Sequence, residues 1–332
     1  MARLTVVHVA EFLKNLEGQE LHISEIMRSL SVSPENEGAF RTMLHRMANS
    51  RERVIKPSGY RDGKYKVLKQ IKPIRWLEAD ESEYFDLHFP KSHTDETGFG
   101  LEKLISVSPG DLIIIAGVSN AGKSAVALNF LAENIHDHEC ILMGNEYTTL
   151  DNQSSPKFKR RMMRMTWADW VNGDGNARFD LWPVREDFED YVQGGKINII
   201  DWINLTDNFF MIGKLIENIK MALGKGIGII VLQKEESREL ARGAGFTRDL
   251  ADVYLTVDPF GQYESRLTIG KVKDAKGAAT GRMWAFKIVD GGANLHDIRE
   301  LKKCFMCYGK GYSKGGECAE CHGLGYVNKR EV

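Results

Sequence analysis

One eight-residue motif restricts what this chain can fold into more than any other feature of its sequence. Residues 117–124 read Gly-Val-Ser-Asn-Ala-Gly-Lys-Ser, a glycine followed by four residues and then Gly-Lys-Ser. A short apolar run precedes the motif at residues 111–116, and residues 125–131 carry apolar side chains at helical spacing. A buried strand, a glycine-containing turn and a helix are the setting in which such a motif cradles phosphate groups. The sequence therefore predicts an α/β domain with a phosphate-binding loop at the end of a buried parallel strand.

The motif also predicts which atoms would meet a bound nucleoside triphosphate. Its glycines let the backbone approach phosphate oxygens closely, and the amide groups at the helix N-terminus supply positive potential. Lys123 is expected to reach the β- and γ-phosphates, and the Ser124 hydroxyl is expected to bind Mg²⁺. The predicted ligands are therefore a nucleoside triphosphate, taken as ATP, and Mg²⁺; no base-contacting residue separates ATP from GTP. The alternative is a glycine loop that precedes a helix by chance. The residues predicted to contact the nucleotide are Gly117, Val118, Ser119, Asn120, Ala121, Gly122, Lys123, Ser124 and Ala125.

Three further apolar runs, each predicted to be a strand of the same sheet, lead into polar side chains. Two of them end in the acids Glu146 and Asp201, and the third is followed by Gln233. Ligands of open α/β sheets bind beyond the carboxyl ends of the strands, so these side chains are expected to face the nucleotide. Asp201 is predicted to hold Mg²⁺ through water, Glu146 to orient and deprotonate the attacking water, and Gln233 to sense the terminal phosphate. The alternatives are that Asp201 caps a turn and that Glu146 is an ordinary surface acid.

Length and local charge divide the chain into parts. Its 332 residues allow two or three domains. Residues 1–75 hold 14 lysines and arginines against 8 acidic residues, and their order of three helices and a hairpin resembles a small winged helix-turn-helix. Contact with duplex nucleic acid is expected there, although such modules also bind proteins. Residues 76–99 are predicted to be an acidic, solvated linker, residues 100–297 the α/β domain, and residues 300–332 a cysteine-containing knuckle.

The knuckle contains four of the five cysteines in two units of the form Cys-x-x-Cys-x-Gly-x-Gly. Two such hairpins place four thiolates at the corners of a tetrahedron, which is the closed arrangement of structural zinc. The fifth cysteine, Cys140, lies in an apolar run and is expected to be a buried core thiol. The repeated unit resembles the zinc-binding hairpins of DnaJ-type chaperones, and its role is left open between binding nucleic acid, binding protein and folding a small tail. The predicted zinc ligands are Cys304, Cys307, Cys318 and Cys321.

Over residues 98–292 the sequence resembles the RecA-like ATPases, and among them the replicative DNA helicases of the DnaB type. The matching stretches are the loop at residues 117–124, Glu146 at the position of that family's catalytic glutamate, Asp201-Trp202-Ile203-Asn204-Leu205, the sensor glutamine Gln233, Ala251-Asp252-Val253, the pair Lys271 and Lys273, and Arg160, Arg161 and Arg164 near an Arg-Met element. The sequence departs from the family at its N-terminal module and at Lys273, where the family has an arginine. Lysine supplies charge without the planar two-pronged contact of a guanidinium.

The resemblance implies an ATP-hydrolysing motor or remodeller that acts on DNA, such as a helicase in replication or recombination. It further implies a homo-oligomeric ring of six subunits, with Lys271 and Lys273 reaching a neighbour's γ-phosphate and single-stranded DNA in the channel beside residues 234–249. The alternative for the lysines is a solvated strand. The alternative function is an ATP-switched DNA-binding regulator or a helicase loader without motor activity. No apolar signal core and no apolar run of about 18 residues is present, so a cytoplasmic protein without membrane contact is expected.

Overall fold

The structure is a computed structural model. It describes residues 5–50, 53–58, 63–69, 71–144, 146–201, 203, 211–234, 240–241, 245–313 and 315–329. The chain forms two compact units, Met1–Glu81 and Ser82–Val332. Within the described residues, no helix is both long and apolar enough to cross a membrane.

The first unit has three helices and a small antiparallel sheet. Helix α3 contributes four of the ten buried apolar residues described in this unit, namely Phe40, Leu44, Met47 and Ala48. The three strands pair in the order β1-β3-β2. This arrangement agrees with the predicted order of helices followed by a hairpin. The elements are α1 (Val6–Lys14), β1 (Glu20–His22), α2 (Ile23–Ser29), α3 (Glu37–Asn49), β2 (Ile55–Pro57) and β3 (Lys64–Val67).

The second unit is built on a ten-stranded sheet with two different halves. Six neighbouring strands are parallel, in the order β9-β4-β8-β7-β5-β6, and the other four continue from β9 as an antiparallel meander, β10-β11-β12-β15. The predicted α/β class is therefore confirmed. The parallel strands are β4 (Leu112–Gly117), β5 (Cys140–Met143), β6 (Phe179–Trp182), β7 (Ile197–Ile200), β8 (Ile227–Gln233) and β9 (Val253–Phe260). The antiparallel strands are β10 (Glu264–Val272), β11 (Met283–Val289), β12 (Asn294–Lys303) and β15 (Tyr326–Asn328), and β13 (Tyr312–Ser313) pairs with β14 (Gly316–Glu317).

Helices cover both faces of the parallel half, which explains why its strands are apolar throughout. Alternate residues of β4 enter two separate cores: Ile113 and Ile115 face the core around helix α4, whereas Ile114 faces the core around helix α6. Cys140 is buried in β5, as predicted. The helices of this unit are α4 (Lys123–Asn134), α5 (Pro156–Met162), α6 (Met211–Ala222) and α7 (Gly245–Leu250).

The segment predicted to be a solvated linker is instead part of the second unit from residue 82 onward. Leu87 and Phe99 are buried in the core around α4. The backbone of His88 exchanges two hydrogen bonds with the Asn134 side chain, at 3.0 and 2.8 Å. The linker prediction for residues 82–99 is therefore wrong. It relied on the net negative charge of the segment, which does not reveal a few well-spaced apolar anchors.

The cysteine knuckle is also attached more closely than predicted. Strand β12 continues to Lys303, directly before the first cysteine, and β15 returns beside it with Lys303 opposite Tyr326. The boundary placed near residue 300 therefore falls inside a strand of the large sheet. The knuckle is an extension of the antiparallel edge rather than a separate domain.

Candidate functional site

The predicted phosphate loop lies between β4 and α4, as its sequence requires. Gly117 ends β4 beside β9, where a Cβ atom would lie only 2.1 Å from the backbone oxygen of Val257. Gly122 precedes α4 with a φ of 98°, which residues with a side chain rarely adopt. The Lys123 ammonium is buried and donates a hydrogen bond of 2.7 Å to the Val118 backbone oxygen. Both glycines are thus required by the backbone path of the loop.

The loop opens on a cavity of about 420 Å³ at the carboxyl ends of the parallel strands. Gln233 lies opposite Gly117 in the register of β8 and β4 and therefore sits between the loop and Asp201. Gly117, Val118 and Ala121 shape the loop without lining this cavity. The residues that line it are Ser119, Asn120, Gly122, Lys123, Ser124, Ala125, Glu146, Arg161, Asp201, Gln233, Ile288 and Gly292. The fold thus gathers the predicted loop, both predicted acids and the predicted sensor amide around one space.

Asp201 has an incompletely satisfied, buried carboxylate at the base of the cavity. One oxygen, Oδ2, accepts a hydrogen bond from the Tyr147 hydroxyl, whereas Oδ1 has no hydrogen-bond partner among the described residues. Burial raises the pKa of this carboxyl, and the hydroxyls of Tyr147 and Ser124 act in the opposite direction. A buried carboxylate oxygen without a donor is costly unless a cation or water completes it. Asp201 and the Ser124 hydroxyl are oxygen ligands of the kind that Mg²⁺ prefers, so the residues present fit that ion.

Glu146 lines the same cavity but differs from Asp201 in its exposure. Strand β5 ends at Met143 rather than at Glu146, which follows in a turn and is exposed. Burial lowers the pKa of the Lys123 ammonium, and the carboxylates of Asp201 and Glu146 oppose that change. An exposed carboxylate at the mouth of the cavity can accept a proton from a water molecule. The position therefore suits the chemistry predicted for Glu146.

The two lysines predicted to reach a neighbouring subunit do not line this cavity and are held by their own chain. Lys273 Nζ lies 2.7 Å from Asp252 Oδ1, and Lys271 Nζ donates to the backbone oxygens of Arg248 and Asp249 at 2.7 and 2.8 Å. Both ammonium groups therefore have partners in their own chain, but the Lys273 side chain is 47% exposed, so the alternative of a solvated strand stays open. Their action on another subunit stays a prediction.

The segment predicted to touch single-stranded DNA is only partly described. Residues 235–239 and 242–244, which include Arg238, Arg242 and Gly243, lie outside the described residues, as do Trp202, Asn204 and Leu205 of the stretch after Asp201. Lys234 begins the segment with a buried side chain whose ammonium lies 2.6 Å from Asp258 Oδ1. Lys234 therefore anchors the start of the segment.

The sequence did not single out Tyr147, which bonds to Asp201, or Arg161, which lines the cavity. Tyr147 follows Glu146 directly and would pass for an ordinary core aromatic; only the fold brings its hydroxyl to Asp201. Arg161 belongs to a group of three arginines, and the sequence offers no reason to choose among them. The structure distinguishes Arg161, which lines the cavity, from Arg160, which is exposed and does not.

The four knuckle cysteines form a buried cluster. Cys304 and Cys318 sulfurs lie 3.8 Å apart, Cys307 and Cys321 sulfurs lie 3.6 Å apart, and all four lie within 4.8 Å of one another. Zinc–sulfur bonds of about 2.3 Å in a tetrahedron place neighbouring sulfurs roughly 3.8 Å apart. The amide of Gly311 donates to Cys307 Sγ at 3.3 Å, and the amide of Gly325 donates to Cys321 Sγ at 3.2 Å. The four residues therefore fit a zinc ion.

Comparison with known proteins adds a likeness of fold. The sequence matches no protein-family model and no curated protein. Among solved structures, the chain is similar to the crystal structure of a KaiC-like protein from the hyperthermophilic archaeon Pyrococcus horikoshii OT3. The TM-score is 0.46 at 15% sequence identity, over 65% of this chain and 98% of that chain. A likeness of this size assigns neither a family nor an activity.

Proposed function

We propose that the second unit is a RecA-like ATPase domain and that the chain uses ATP hydrolysis to act on DNA. The observation that carries the proposal is the convergence on one cavity of the phosphate loop with a buried carboxylate whose Oδ1 has no partner among the described residues. A magnesium nucleotide would complete that carboxylate and occupy the loop. Bound there, Mg²⁺ would be held by Ser124 and Asp201 and would neutralise charge on the β- and γ-phosphates.

The residues around the cavity then have separate tasks in hydrolysis. Lys123 exchanges its hydrogen bond to the Val118 oxygen for one to a phosphate oxygen. Glu146 accepts a proton as the water oxygen bonds to the γ-phosphorus. The bond from that phosphorus to the bridging oxygen breaks at the same time, so the products are ADP and inorganic phosphate. Gln233, at the end of the strand beside the loop, distinguishes the presence from the absence of the terminal phosphate.

Action on DNA is supported by the first unit and by the resemblance described above. The exposed face of α3 carries Arg41, His45 and Arg46, although Arg41 also pairs with Glu37 at 2.8 Å. We propose that this winged-helix-like module contacts duplex DNA and that a ring of subunits, six in number, encloses a single strand. We further propose that the cysteine cluster holds a structural zinc ion.

A second candidate is an ATP-switched DNA-binding regulator that hydrolyses slowly. It is favoured by the partners of Lys271 and Lys273, since neither ammonium group is free to serve another subunit without first losing a bond within its own chain. This candidate predicts tight binding of ATP and duplex DNA with turnover that single-stranded DNA does not stimulate.

ATP turnover of the full chain, measured alone and with single- and double-stranded DNA, tests both candidates. Lys123→Ala should abolish nucleotide binding and turnover. Glu146→Gln should retain binding and lower turnover by about 10²–10⁴-fold, because the proton acceptor is lost. Glu186→Gln is the matched control, since Glu186 is exposed and outside the cavity. Full turnover by Glu146→Gln would remove that residue from the mechanism, and a lack of nucleotide binding by the unmodified chain would refute the proposed function.

A further inference from the structure

The charges lining the nucleotide cavity leave one cation without a partner in the described part of the chain. Two carboxylates, from Glu146 and Asp201, and two cations, from Lys123 and Arg161, line the cavity. The Lys123 ammonium already donates to the loop backbone. Among the described residues, no carboxylate or backbone oxygen pairs with the Arg161 guanidinium. A guanidinium has five donors, so this group is available to an anionic ligand.

Arg161 is brought to the wall of the cavity by a well-anchored helix. It lies in the last turn of α5, between the buried side chains of Phe158 and Met162. The Phe158 ring packs 4.8 Å from the Tyr147 ring, whose hydroxyl bonds to Asp201. Burial raises the pKa of Tyr147 well above its ordinary value, and the charge of Arg161 acts in the opposite direction. Arg161 and the Asp201 carboxylate thus line the same cavity.

The far side of Arg161 is fixed by the turn between β11 and β12. A Cβ atom on Gly292 would lie 3.3 Å from Arg161 Nε and 3.5 Å from its Nη2, so the guanidinium rests against that glycine. The neighbouring Arg164 donates a hydrogen bond of 3.1 Å to the Asp290 backbone oxygen and so joins the end of α5 to the same turn. Arg161 is therefore placed between two elements of its own chain.

Two other cations of the second unit, Lys234 beside the loop and Lys273 at the opposite end of β4, are already engaged. Lys234 pairs with Asp258 at 2.6 Å, and Lys273 pairs with Asp252 at 2.7 Å. Hydrolysis of a phosphoanhydride develops negative charge on the transferred group and its bridging oxygen, and a cation supplied from the same chain or from a neighbour stabilises it. Of the two cations that line the cavity in the described part of the chain, Lys123 already donates to the loop backbone, and Arg161 can do this without losing a bond.

We propose that Arg161 is a catalytic residue that binds phosphate oxygens of the nucleotide held by its own chain and stabilises the charge that develops on the γ-phosphoryl group. This proposal rests on the proposed ATPase function. In this proposal Arg161, rather than Lys271 and Lys273, supplies the positive charge at the γ-phosphoryl group. Each subunit would then need no cation from a neighbour. The planar guanidinium offers two parallel hydrogen bonds to a phosphate, which a lysine cannot reproduce.

The first experiment measures nucleotide affinity and turnover of Arg161→Ala and Arg161→Lys. We expect turnover to fall by at least about 100-fold in Arg161→Ala, with a much smaller loss of ADP affinity, because the contact strengthens in the transition state. Arg161→Lys should recover only part of the rate. The matched control is Arg160→Ala, which removes an exposed charge from the same helix turn outside the cavity. Turnover of Arg161→Ala equal to that of the control would overturn the proposal.

The second experiment separates action within one chain from action on a neighbour. Lys123→Ala lacks a working loop and Arg161→Ala lacks the guanidinium. If the guanidinium served a neighbouring subunit, mixed assemblies of the two would regain up to about a quarter of the unmodified rate through head-to-tail contacts. We expect no recovery at any mixing ratio; recovery would refute action within one chain.

The two proposals fail in different ways. If the unmodified chain binds no magnesium nucleotide, the proposed function falls and Arg161 falls with it. If the unmodified chain hydrolyses ATP and Arg161→Ala does so equally well, the ATPase function stands and only the role of Arg161 is refuted. Binding without turnover by the unmodified chain would contradict the catalytic role and favour the regulator.

Discussion

Replacing Tyr147 with phenylalanine tests whether Asp201 is an ionised, buried carboxylate that depends on the Tyr147 hydroxyl. Tyr147 and Asp201 are 2% and 3% exposed, so water cannot replace a lost donor readily. Asp201 Oδ1 already has no partner among the described residues, and Oδ2 accepts from Tyr147. A hydrogen bond to a charged group contributes about 1.5–3 kcal/mol. We therefore expect Tyr147→Phe to lower the free energy of unfolding by about that amount in the absence of Mg²⁺ and nucleotide.

The loss should depend on pH in a defined direction. Burial raises the pKa of Asp201, so the folded state favours the protonated carboxyl more than the unfolded state does. Removing the hydroxyl raises the pKa of the folded state further. The destabilisation is therefore complete above the pKa that Asp201 has in the folded variant. It shrinks as the pH falls below that value, because a protonated carboxyl no longer needs the hydroxyl donor. A variant that merely removes packing would lose the same free energy at every pH.

The assay is urea unfolding of the zinc-loaded protein without magnesium, at about pH 8 and about pH 5. Tyr263→Phe is the matched control, because Tyr263 is 79% exposed and the same hydroxyl is removed. We expect a loss in Tyr147→Phe at the higher pH and a smaller one at the lower pH. Equal stability of the two variants at the higher pH, or an equal loss at both, would refute the description of Asp201.

Two further predictions concern the lysine pair and the cysteine cluster. Lys273→Ala should lower the free energy of unfolding by at most about 1 kcal/mol, because the Lys273 side chain is 47% exposed and Lys220 still binds Asp252. A fall in turnover of about 100-fold would support the predicted role of Lys273 towards a neighbour, and an unchanged rate would contradict that role. Elemental analysis should find one zinc per chain in the unmodified protein and a substoichiometric amount in Cys318→Ser. The control Cys140→Ala should keep its zinc, because Cys140 lies in β5 away from the cluster. An unchanged zinc content in Cys318→Ser would contradict the four-cysteine site.

The features that could be predicted from the sequence are those that depend on a short, continuous stretch of chain. The phosphate loop and the two cysteine units each contain their own turn chemistry, so spacing alone predicts which atoms converge. The positions of Asp201 and Gln233 could also be predicted, because parallel strands that begin in register end at the same edge of the sheet. In these cases the local pattern and the tertiary structure impose the same arrangement.

The features that could not be predicted depend on contacts between distant parts of the chain. Arg161 reaches the cavity because α5 packs on Tyr147 on one side and meets Gly292, more than a hundred residues later, on the other. The segment around Leu87 enters the core because Asn134, on α4, binds its backbone. Composition and charge carry no information about either contact, since both arise from the way helices dock on the sheet.

The contacts of Asp252 show what it would cost to use Lys273, rather than Arg161, as the source of positive charge for hydrolysis. Its Oδ2 accepts from the Leu112 amide at the start of β4, the strand that leads into the phosphate loop, and its Oδ1 binds Lys273. If the Lys273 side chain turned towards a neighbour's nucleotide, Asp252 would lose one of the cations that balance its largely buried carboxylate at the start of β4. Burial disfavours such a carboxylate while Lys220 and Lys273 lower its pKa, so the loss would fall on the subunit that donates the lysine. Arg161 carries no such penalty within the described chain, because it has no ion pair to break. These contacts therefore agree with the proposed role of Arg161, while Lys220 and Lys273 balance the carboxylate at the start of the strand that leads to the loop.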